Sequence, residues 1–331
     1  MATVDLPNSI TSIGVGAFYK CSSLKRIVLP PNLEKVSGIF GDCKSLEFVK
    51  LPNNMTKIAG NIFKECPSLR EIVIDSKNPL FICQDSFLFN KEKSILYCFP
   101  PGKDTTEIFL PESLKEIKTE AFANCKQLES VIFSSKSFCD IGNAAFKWCT
   151  SLRRVDLPHN VKVIKMGTFS WCTSLESINE SPGLEVIESA AFSHCGSIKN
   201  IDFIPNATQI GQRAFMDCSS LETIAFPNGL KEIGEAAFSG CTSLKKVSIP
   251  DSIHSLGDYI FYSDHNLEEI HIHVIDLENV SIMSHAFDID KNMSLSDIFY
   301  SQCILYVPSG TRWNYRHHPV FGKFKNIEIE I

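Results

Sequence analysis

The sequence predicts a solenoid, mainly β, in which short parallel strands from successive repeats stack on one another. The first observation is a Phe-x-x-Cys pair that occurs nine times in 331 residues, with successive phenylalanines 22 to 24 residues apart except for one jump of 59. The second is a set of three apolar segments in every unit, as in FPNGLKEIGEAAFSGCTSLKKVSI at Phe226–Ile249. Units of about 23 residues are too short to close a core alone, so they bury their apolar corners against neighbouring units.

A single unit predicts its own local structure. The first segment contributes Leu230 and Ile233 to the core. The last segment alternates like a strand, which places Val247 and Ile249 on the buried face and the residues between them on the outer face. The middle segment, GEAAFSGC, predicts a short helical or 3-10 turn with Phe238 pointing inward.

Nine cysteines share one position of the repeat and should stack as a ladder. Their Cβ atoms would point the same way at strand spacing, roughly 4.8 Å, whereas a disulfide needs converging Cβ atoms about 3.8 Å apart. We therefore expect structural free thiols, with disulfides or a metal as the alternatives. The ladder comprises Cys21, Cys43, Cys66, Cys125, Cys149, Cys172, Cys195, Cys218 and Cys241. Of the others, Cys83 and Cys98 can meet across an insertion, and Asp264 stands where a tenth ladder cysteine would be.

Two segments depart from the repeat, which otherwise fills residues 1–303 with about 12 coils. Residues 75–109 replace about one and a half units, and FLFNKEKSILYCFP within them predicts a β-hairpin with its turn at Asn90–Lys93. Residues 304–331 should cap the open end of the solenoid. The expected apolar cover consists of Trp313, Tyr315, Phe321 and Phe324. All of these segments are predicted to belong to one domain.

The motifs of the repeat also point to a known family. The unit LPxxLxxIxxxAFxxCxSLxxIxLP resembles the BspA-like leucine-rich repeats of bacterial surface proteins, and its LP turns occur at Leu6–Ser9, Leu110–Ser113 and, as IPDS, Ile249–Ser252. The final segment, beginning LYVPSGT, resembles the end of that family's repeat region. The resemblance implies a leucine-rich repeat solenoid, right-handed and curved, that acts as a non-enzymatic, adhesin-like binding module.

Charge and composition narrow the class of partner. A formal net charge of −6 and a pI of about 5.9 provide no basic field for nucleic acid or anionic lipid. No apolar run reaches the roughly 18 residues of a membrane span. The chain begins inside the repeat pattern without a secretory leader, so we expect that a leader has been removed and that the protein is extracellular or on the cell surface. We expect a monomer that binds a protein or a glycan.

The candidate catalytic and metal-binding motifs each lack a feature that such a site requires. His194 precedes Cys195, but eight other units hold six different residue types at that position, which indicates a solvated turn rather than Cys–His catalysis. His271 and His273 lack a companion zinc motif. Residues 288–299 begin like a calcium loop but lack its glycine and final glutamate. We therefore predict no catalytic residue, no metal and no cofactor, and hence no enzyme.

The outward residues of the last strand in each unit form the candidate binding surface. In horseshoe-shaped repeats this sheet lines the concave face, where partners usually dock. The middle of the column is polar and can offer hydrogen bonds to a protein or glycan. Its residues are Arg154, Asp156, Ser177, Asn179, Asn200 and Asp202. Two other functions remain open: a structural stalk that displays another domain, and a targeting module of an enzyme.

Overall fold

The chain folds as a β-solenoid of about 14 turns with little helix. Two compact units make up the chain, Met1–Pro158 (the first unit) and His159–Ile331 (the second unit). The computed structural model describes residues 3–134, 138–158, 160–179, 181–290 and 293–330.

The strand that ends each repeat builds two parallel sheets in the first unit. Its register sets Val49 between Ile27 and Ile72, and these central residues are buried while the residues on either side are more exposed. The alternation of a strand therefore turns one face to the core and the other to solvent. One sheet contains Thr3–Val4, Arg26–Val28, Phe48–Lys50 and Glu71–Val73, and the other contains Glu107–Phe109, Ser130–Ile132 and Arg154–Asp156.

The second unit repeats this arrangement. Five of its repeat-ending strands form one parallel sheet, with Ile224, Val247 and Ile270 buried at the centres of the first three. These strands are Thr223–Ala225, Lys246–Ile249, Glu269–Ile272, Ile304–Val307 and Asn326–Ile329, and the shorter strand Ser177–Ile178 belongs to the same position of the repeat.

A second set of short strands carries the L-x-x-I segments. In the first unit they pair in parallel as Lys35–Ser37 with Lys57–Ala59, and as Glu116–Ile117 with Asp140–Ile141. The second unit has six such strands in one sheet, which are Val163–Ile164, Val186–Ile187, Gln209–Ile210, Glu232–Ile233, Ser255–Leu256 and Ser281–Ile282.

The Phe-x-x-Cys segments, here called the arms, are hydrogen-bonded turns instead of the expected helical turns. Two residues of each regular arm have positive φ, such as Ala190 at 54° and His194 at 62°, and this left-handed backbone cannot continue a helix. The amides of Ala190, Phe192 and His194 instead donate to carbonyls of the next arm at 2.9, 2.7 and 2.6 Å. The first three arms contain the two-residue strands Phe18–Tyr19, Phe40–Gly41 and Phe63–Lys64.

The insertion is a three-stranded antiparallel meander. The predicted hairpin is confirmed by Phe87–Asn90 paired with Ile95–Cys98, and Asn90 Oδ1 accepts the amides of Ser94 and Ile95 at the turn, both at 2.8 Å. The sequence did not predict the third strand, Phe81–Gln84, which precedes the hairpin. The last strand of the meander pairs in parallel with Glu116–Ile117, so the insertion rejoins the solenoid.

Residues 304–330 extend the solenoid as well as close it, because both of their strands pair in parallel with the strand before. Tyr315 is buried and its hydroxyl donates to the Val274 carbonyl at 2.7 Å, with Phe321 packed against its ring. Trp313 is 69% exposed, so its predicted part in the apolar cover is wrong. The α-helices of the described residues are Met293–Gln302 and Arg312–His317, and the 3-10 helices are Leu277–Asn279 and Phe321–Lys323.

Candidate functional site

The ladder cysteines are free thiols whose side chains point into the solenoid. Cys195 Sγ donates to the Phe169 carbonyl of the preceding arm at 3.1 Å, and Cys218 makes the same bond to Phe192 at 3.2 Å. Burial raises the pKa of Cys195 well above its usual range, which disfavours the nucleophilic thiolate. Cys195 and Cys218 therefore behave as small apolar groups, each with a weak hydrogen bond to a backbone carbonyl.

The cysteines of the insertion are free as well. Cys83 is half-buried, Cys98 is buried, and they do not form a disulfide. Burial raises the pKa of each thiol to about 12. Neither is therefore a reactive thiol at neutral pH.

His194 and Cys195 face opposite sides of the arm. The His194 ring lies on the outside, stacked 3.8 Å from the Trp171 ring, and its Nδ1 is 3.1 Å from Asp217 Oδ2. The thiol of Cys195 points inward to the Phe169 carbonyl. His194 itself has a left-handed φ of 62°, and its ring and the adjacent thiol bind different partners, so they do not form a catalytic pair.

Asp264 occupies the ladder position without the hydrogen bond that a thiol makes there. Its side chain is fully buried, and neither carboxyl oxygen has a hydrogen-bond partner among the described residues. Burial raises the pKa of this carboxyl well above its usual range. The sequence showed that aspartate replaces cysteine at this position. The lack of a hydrogen-bond partner for its carboxyl depends on how the arm packs.

In the first unit, the predicted binding residues form an ion pair on the open face of the sheet. Arg154 Nε and Nη2 donate to the two carboxylate oxygens of Asp156 at 2.8 and 3.1 Å. The register places Asp156 beside Ile132 and then Phe109, which is 67% exposed. This face therefore combines exposed apolar groups with a fixed charged pair.

In the second unit, the predicted binding residues are polar but less regular. Ser177 lies on a strand and is exposed, and Asn179 follows that strand. The prediction that Asn200 and Asp202 lie on a strand is wrong, because this segment forms a turn. The Asn200 side chain accepts the Asp202 amide at 3.3 Å, and such local bonds compete with strand pairing. Both side chains are exposed.

The histidines of HIHV take part in a polar network on the last sheet of the second unit. His273 Nε2 is 2.9 Å from Ser248 Oγ, and its Nδ1 is 3.0 Å from Glu330 Oε2. His271 Nδ1 lies 3.0 Å from the other oxygen of the same carboxylate. The sequence could not show this network because Glu330 is 59 residues from His271.

This serine–histidine–glutamate order resembles a catalytic triad, but its surroundings do not support hydrolysis. Ser248 lies on the outer face of a parallel strand whose backbone is paired to its neighbours. Backbone amides held in such pairing cannot turn to stabilise an oxyanion. The His273 side chain is 41% exposed, so water weakens its interaction with the carboxylate.

No group of three or more metal-ligating side chains in the described ranges is arranged to hold a metal ion. In the segment that resembles a calcium loop, Asp288 instead binds Tyr300 Oη, His285 Nδ1 and Lys323 Nζ at 2.6, 2.8 and 2.9 Å. Burial alone would raise the pKa of Asp288, but these hydrogen bonds lower it overall. Lys291 and Asn292 of that segment lie outside the described residues.

None of the described helices is long and apolar enough to cross a membrane.

The stacked strands and the hydrogen-bonded arms define a repeat scaffold with a variable outer face. A family model described as the BspA type leucine rich repeat region matches residues 1–95, 93–222 and 186–310. The match extends over most of the sequence, so the chain belongs to the BspA-type leucine-rich repeat family. No curated protein sequence matches the chain.

Solved structures of bacterial proteins share the fold. The pneumococcal vaccine antigen PcpA matches 100% of this chain and 68% of its own, at 21% identity and a TM-score of 0.52. A leucine-rich repeat protein from Eubacterium ventriosum matches 87% and 82%, at 20% identity and a TM-score of 0.54. A leucine-rich cell surface protein from Faecalibacterium prausnitzii matches 70% and 61%, at 24% identity and a TM-score of 0.52. At these identities the likeness concerns the fold alone.

Proposed function

We propose that the chain is a non-enzymatic binding module of a cell-surface or secreted protein, and that the outer faces of its repeat-ending strands recognise a protein partner. One observation carries this proposal. The strand centres Ile224, Val247 and Ile270 are uniformly apolar and buried, whereas the residues before them are threonine, lysine and glutamate on the outer face. A scaffold with a constant core and a variable face is suited to binding.

The outer face of the first unit favours a protein over a glycan. Arg154 and Asp156 hydrogen-bond each other on the same sheet that carries exposed Phe109 two strands away. Protein interfaces combine apolar contacts with oriented arginines in this way. In the second unit, Ser177, Asn179, Asn200 and Asp202 supply hydrogen-bonding groups to whichever partner contacts that unit.

The test is a binding screen of the whole chain against an array of extracellular-matrix proteins and glycans. A variant with Arg154, Asp156, Asn179, Asn200 and Asp202 changed to alanine should bind the protein hit about tenfold more weakly, as expected when interface residues are truncated. These side chains lie on the surface, so thermal unfolding should be nearly unchanged.

The control variant combines Lys231→Ala with Glu232→Ala, which removes charges from the other strand set of the second unit. It should retain full binding. Equal binding by the five-site variant and the unchanged chain would refute the assignment of the strand face. Light scattering should give a mass near 37.0 kDa, since we propose that the module is a monomer.

A further inference from the structure

The regular surface of the first unit is interrupted where the insertion replaces an arm. In an ordinary arm three amides donate to the next arm, as Glu120, Phe122 and Asn124 do at 3.0, 2.8 and 2.8 Å. In the insertion, Phe99 takes the place of the arm phenylalanine and donates to the Ala121 carbonyl at 2.8 Å. The residue two positions later is Pro101, which has no N–H to make the third bond.

The chain turns away from the next arm at this point. Gly102 donates to the Leu69 carbonyl at 2.8 Å and passes so close that a Cβ atom on it would lie 2.6 Å from the Ser68 carbonyl carbon. The arm that would have filled the outer surface is therefore missing. Two neighbouring clefts of about 580 and 400 Å³ open there, and both are lined by Asn124 and Lys126.

The smaller cleft presents an aromatic side chain among polar groups. Trp148 lines one wall, and Asn61 lines another with its amide donating to Glu120 Oε2 at 3.2 Å. The C–H bonds on one face of a sugar ring form an apolar surface that suits the electron-rich face of an indole. Side-chain amides and carboxylates can bind the hydroxyl groups around the edge of the ring.

The charges of the smaller cleft favour an anion. Three lysines, Lys64, Lys126 and Lys147, line it together with two carboxylates. Of the two carboxylates in its lining, Glu120 is already bound by the Asn61 amide. The volumes of the two clefts fall in the range of small-ligand sites, roughly 300 to 1,000 Å³, and their concave shape differs from the open strand face.

We propose that these two clefts form a binding site for an acidic saccharide, with Trp148 as the stacking surface for one sugar ring and the lysines as the partners of its carboxylate. The larger cleft, lined by Arg70 and Gln127 and also by the carboxylates of Glu47 and Asp104, accommodates the adjoining sugar, whose hydroxyl groups these side chains can bind. This site is separate from the strand face of the proposed function, and it arises only where the chain departs from its repeat.

The repeat itself supplies a conservative test variant. Trp148 has φ of 65°, and the equivalent residue of the preceding arm is Asn124 with φ of 66°. Trp148→Asn therefore places a residue that the arm already accepts in the same left-handed backbone. Calorimetric titration of the whole chain with 3′-sialyllactose and with a galacturonic acid trimer should show binding, while lactose should not bind measurably.

Trp148→Asn should weaken binding of the acidic sugars about tenfold or more, and Lys147→Ala should weaken it and reduce its dependence on salt. Asp217→Asn, at the same arm position in the second unit, is the matched control and should bind normally. The five-site strand-face variant should also bind these sugars normally, which separates this proposal from the previous one.

Three results would overturn the proposal. The first is no binding of either acidic sugar, and the second is unchanged binding by Trp148→Asn. The third is equal binding of lactose or of polyglutamate, since neutral sugars lack the carboxylate and an acidic peptide lacks the sugar ring.

Discussion

A single ladder position shows how the chemistry of one residue decides local stability. Cys241 donates its thiol hydrogen to the Phe215 carbonyl at 3.4 Å, and its sulfur tolerates burial. Asp264 occupies the same position one repeat later, fully buried and without a hydrogen-bond partner among the described residues. A buried carboxyl must stay protonated or lose the solvation of its charge. Burial raises the pKa of Asp264 well above its usual range, which favours the protonated carboxyl in the folded chain.

This difference predicts that Asp264→Cys increases the free energy of unfolding by an amount that depends on pH. An unfolded aspartate loses its proton above about pH 4, whereas folded Asp264 retains it, so the folded state loses stability as pH rises above that value. The substitution should raise the free energy of unfolding by about 1–3 kcal/mol at pH 7. The gain should be smaller at pH 4. Urea unfolding at both pH values measures it.

The matched control for that substitution is Asp251→Asn, because Asp251 is exposed. It should change the free energy of unfolding little at either pH. An Asp264→Cys chain that is no more stable than the original at pH 7, or that shows the same gain at both pH values, would contradict the burial of an isolated carboxyl.

At the scale of an element, the insertion is held to the solenoid by one buried asparagine. Asn78 is 1% exposed, and its amide donates to the carbonyls of Asn53 and Met55 at 2.9 and 3.0 Å. Its Oδ1 accepts the amides of Leu80 and Phe81 at 2.9 and 2.8 Å. The side chain thus satisfies four backbone groups where the chain leaves its regular period.

Asn78→Ala should lower the free energy of unfolding by about 2–3 kcal/mol, because it leaves buried backbone donors and acceptors without partners. Chemical denaturation of the whole chain measures this loss. Asn54→Ala, an exposed change in the neighbouring turn, should have almost no effect. Equal stability of the two variants would show that the Asn78 hydrogen bonds do not hold the insertion.

Some predicted elements are determined by residues close together in the sequence, and others by contacts between repeats. The hairpin of the insertion followed from its turn residues, since Asn90 closes the turn by accepting the amides of Ser94 and Ile95, four and five residues later. The arms were expected to form a short helical or 3-10 turn. Their bonds run instead to the next repeat, and no single unit contains that information. The strand at Asn200 failed for a local reason, a side chain that binds its own backbone.

At the scale of the whole molecule, the repeat holds thirteen cysteines without joining them as disulfides. All thirteen are free, and eleven of them are buried, with only Cys21 and Cys83 partly exposed. Stacking at a constant repeat spacing prevents neighbouring ladder thiols from converging as a disulfide requires. Burial also raises the pKa of Cys303 and Cys139 to about 12, which slows their oxidation. The chain can therefore carry many thiols without pairing them.

Thiol titration tests this arrangement. Without reductant, the denatured chain should yield thirteen reactive thiols, and the native chain should react quickly at no more than the two that are partly exposed. Fewer than thirteen in denaturant would indicate disulfides. Fast reaction of most thiols in the native chain would contradict their burial.

The amino-acid sequence by itself determined the repeat, the buried positions, the free-thiol ladder and the family, because each unit encodes its inward residues at a fixed period. The packing of one repeat against another decided which polar groups from different repeats come into contact. The isolation of Asp264, the Ser248–His273–Glu330 network and the clefts beside Trp148 join residues from different repeats. Their distances depend on how far one coil lies from the next and on where Pro101 turns the chain away, and neither quantity is local in the sequence.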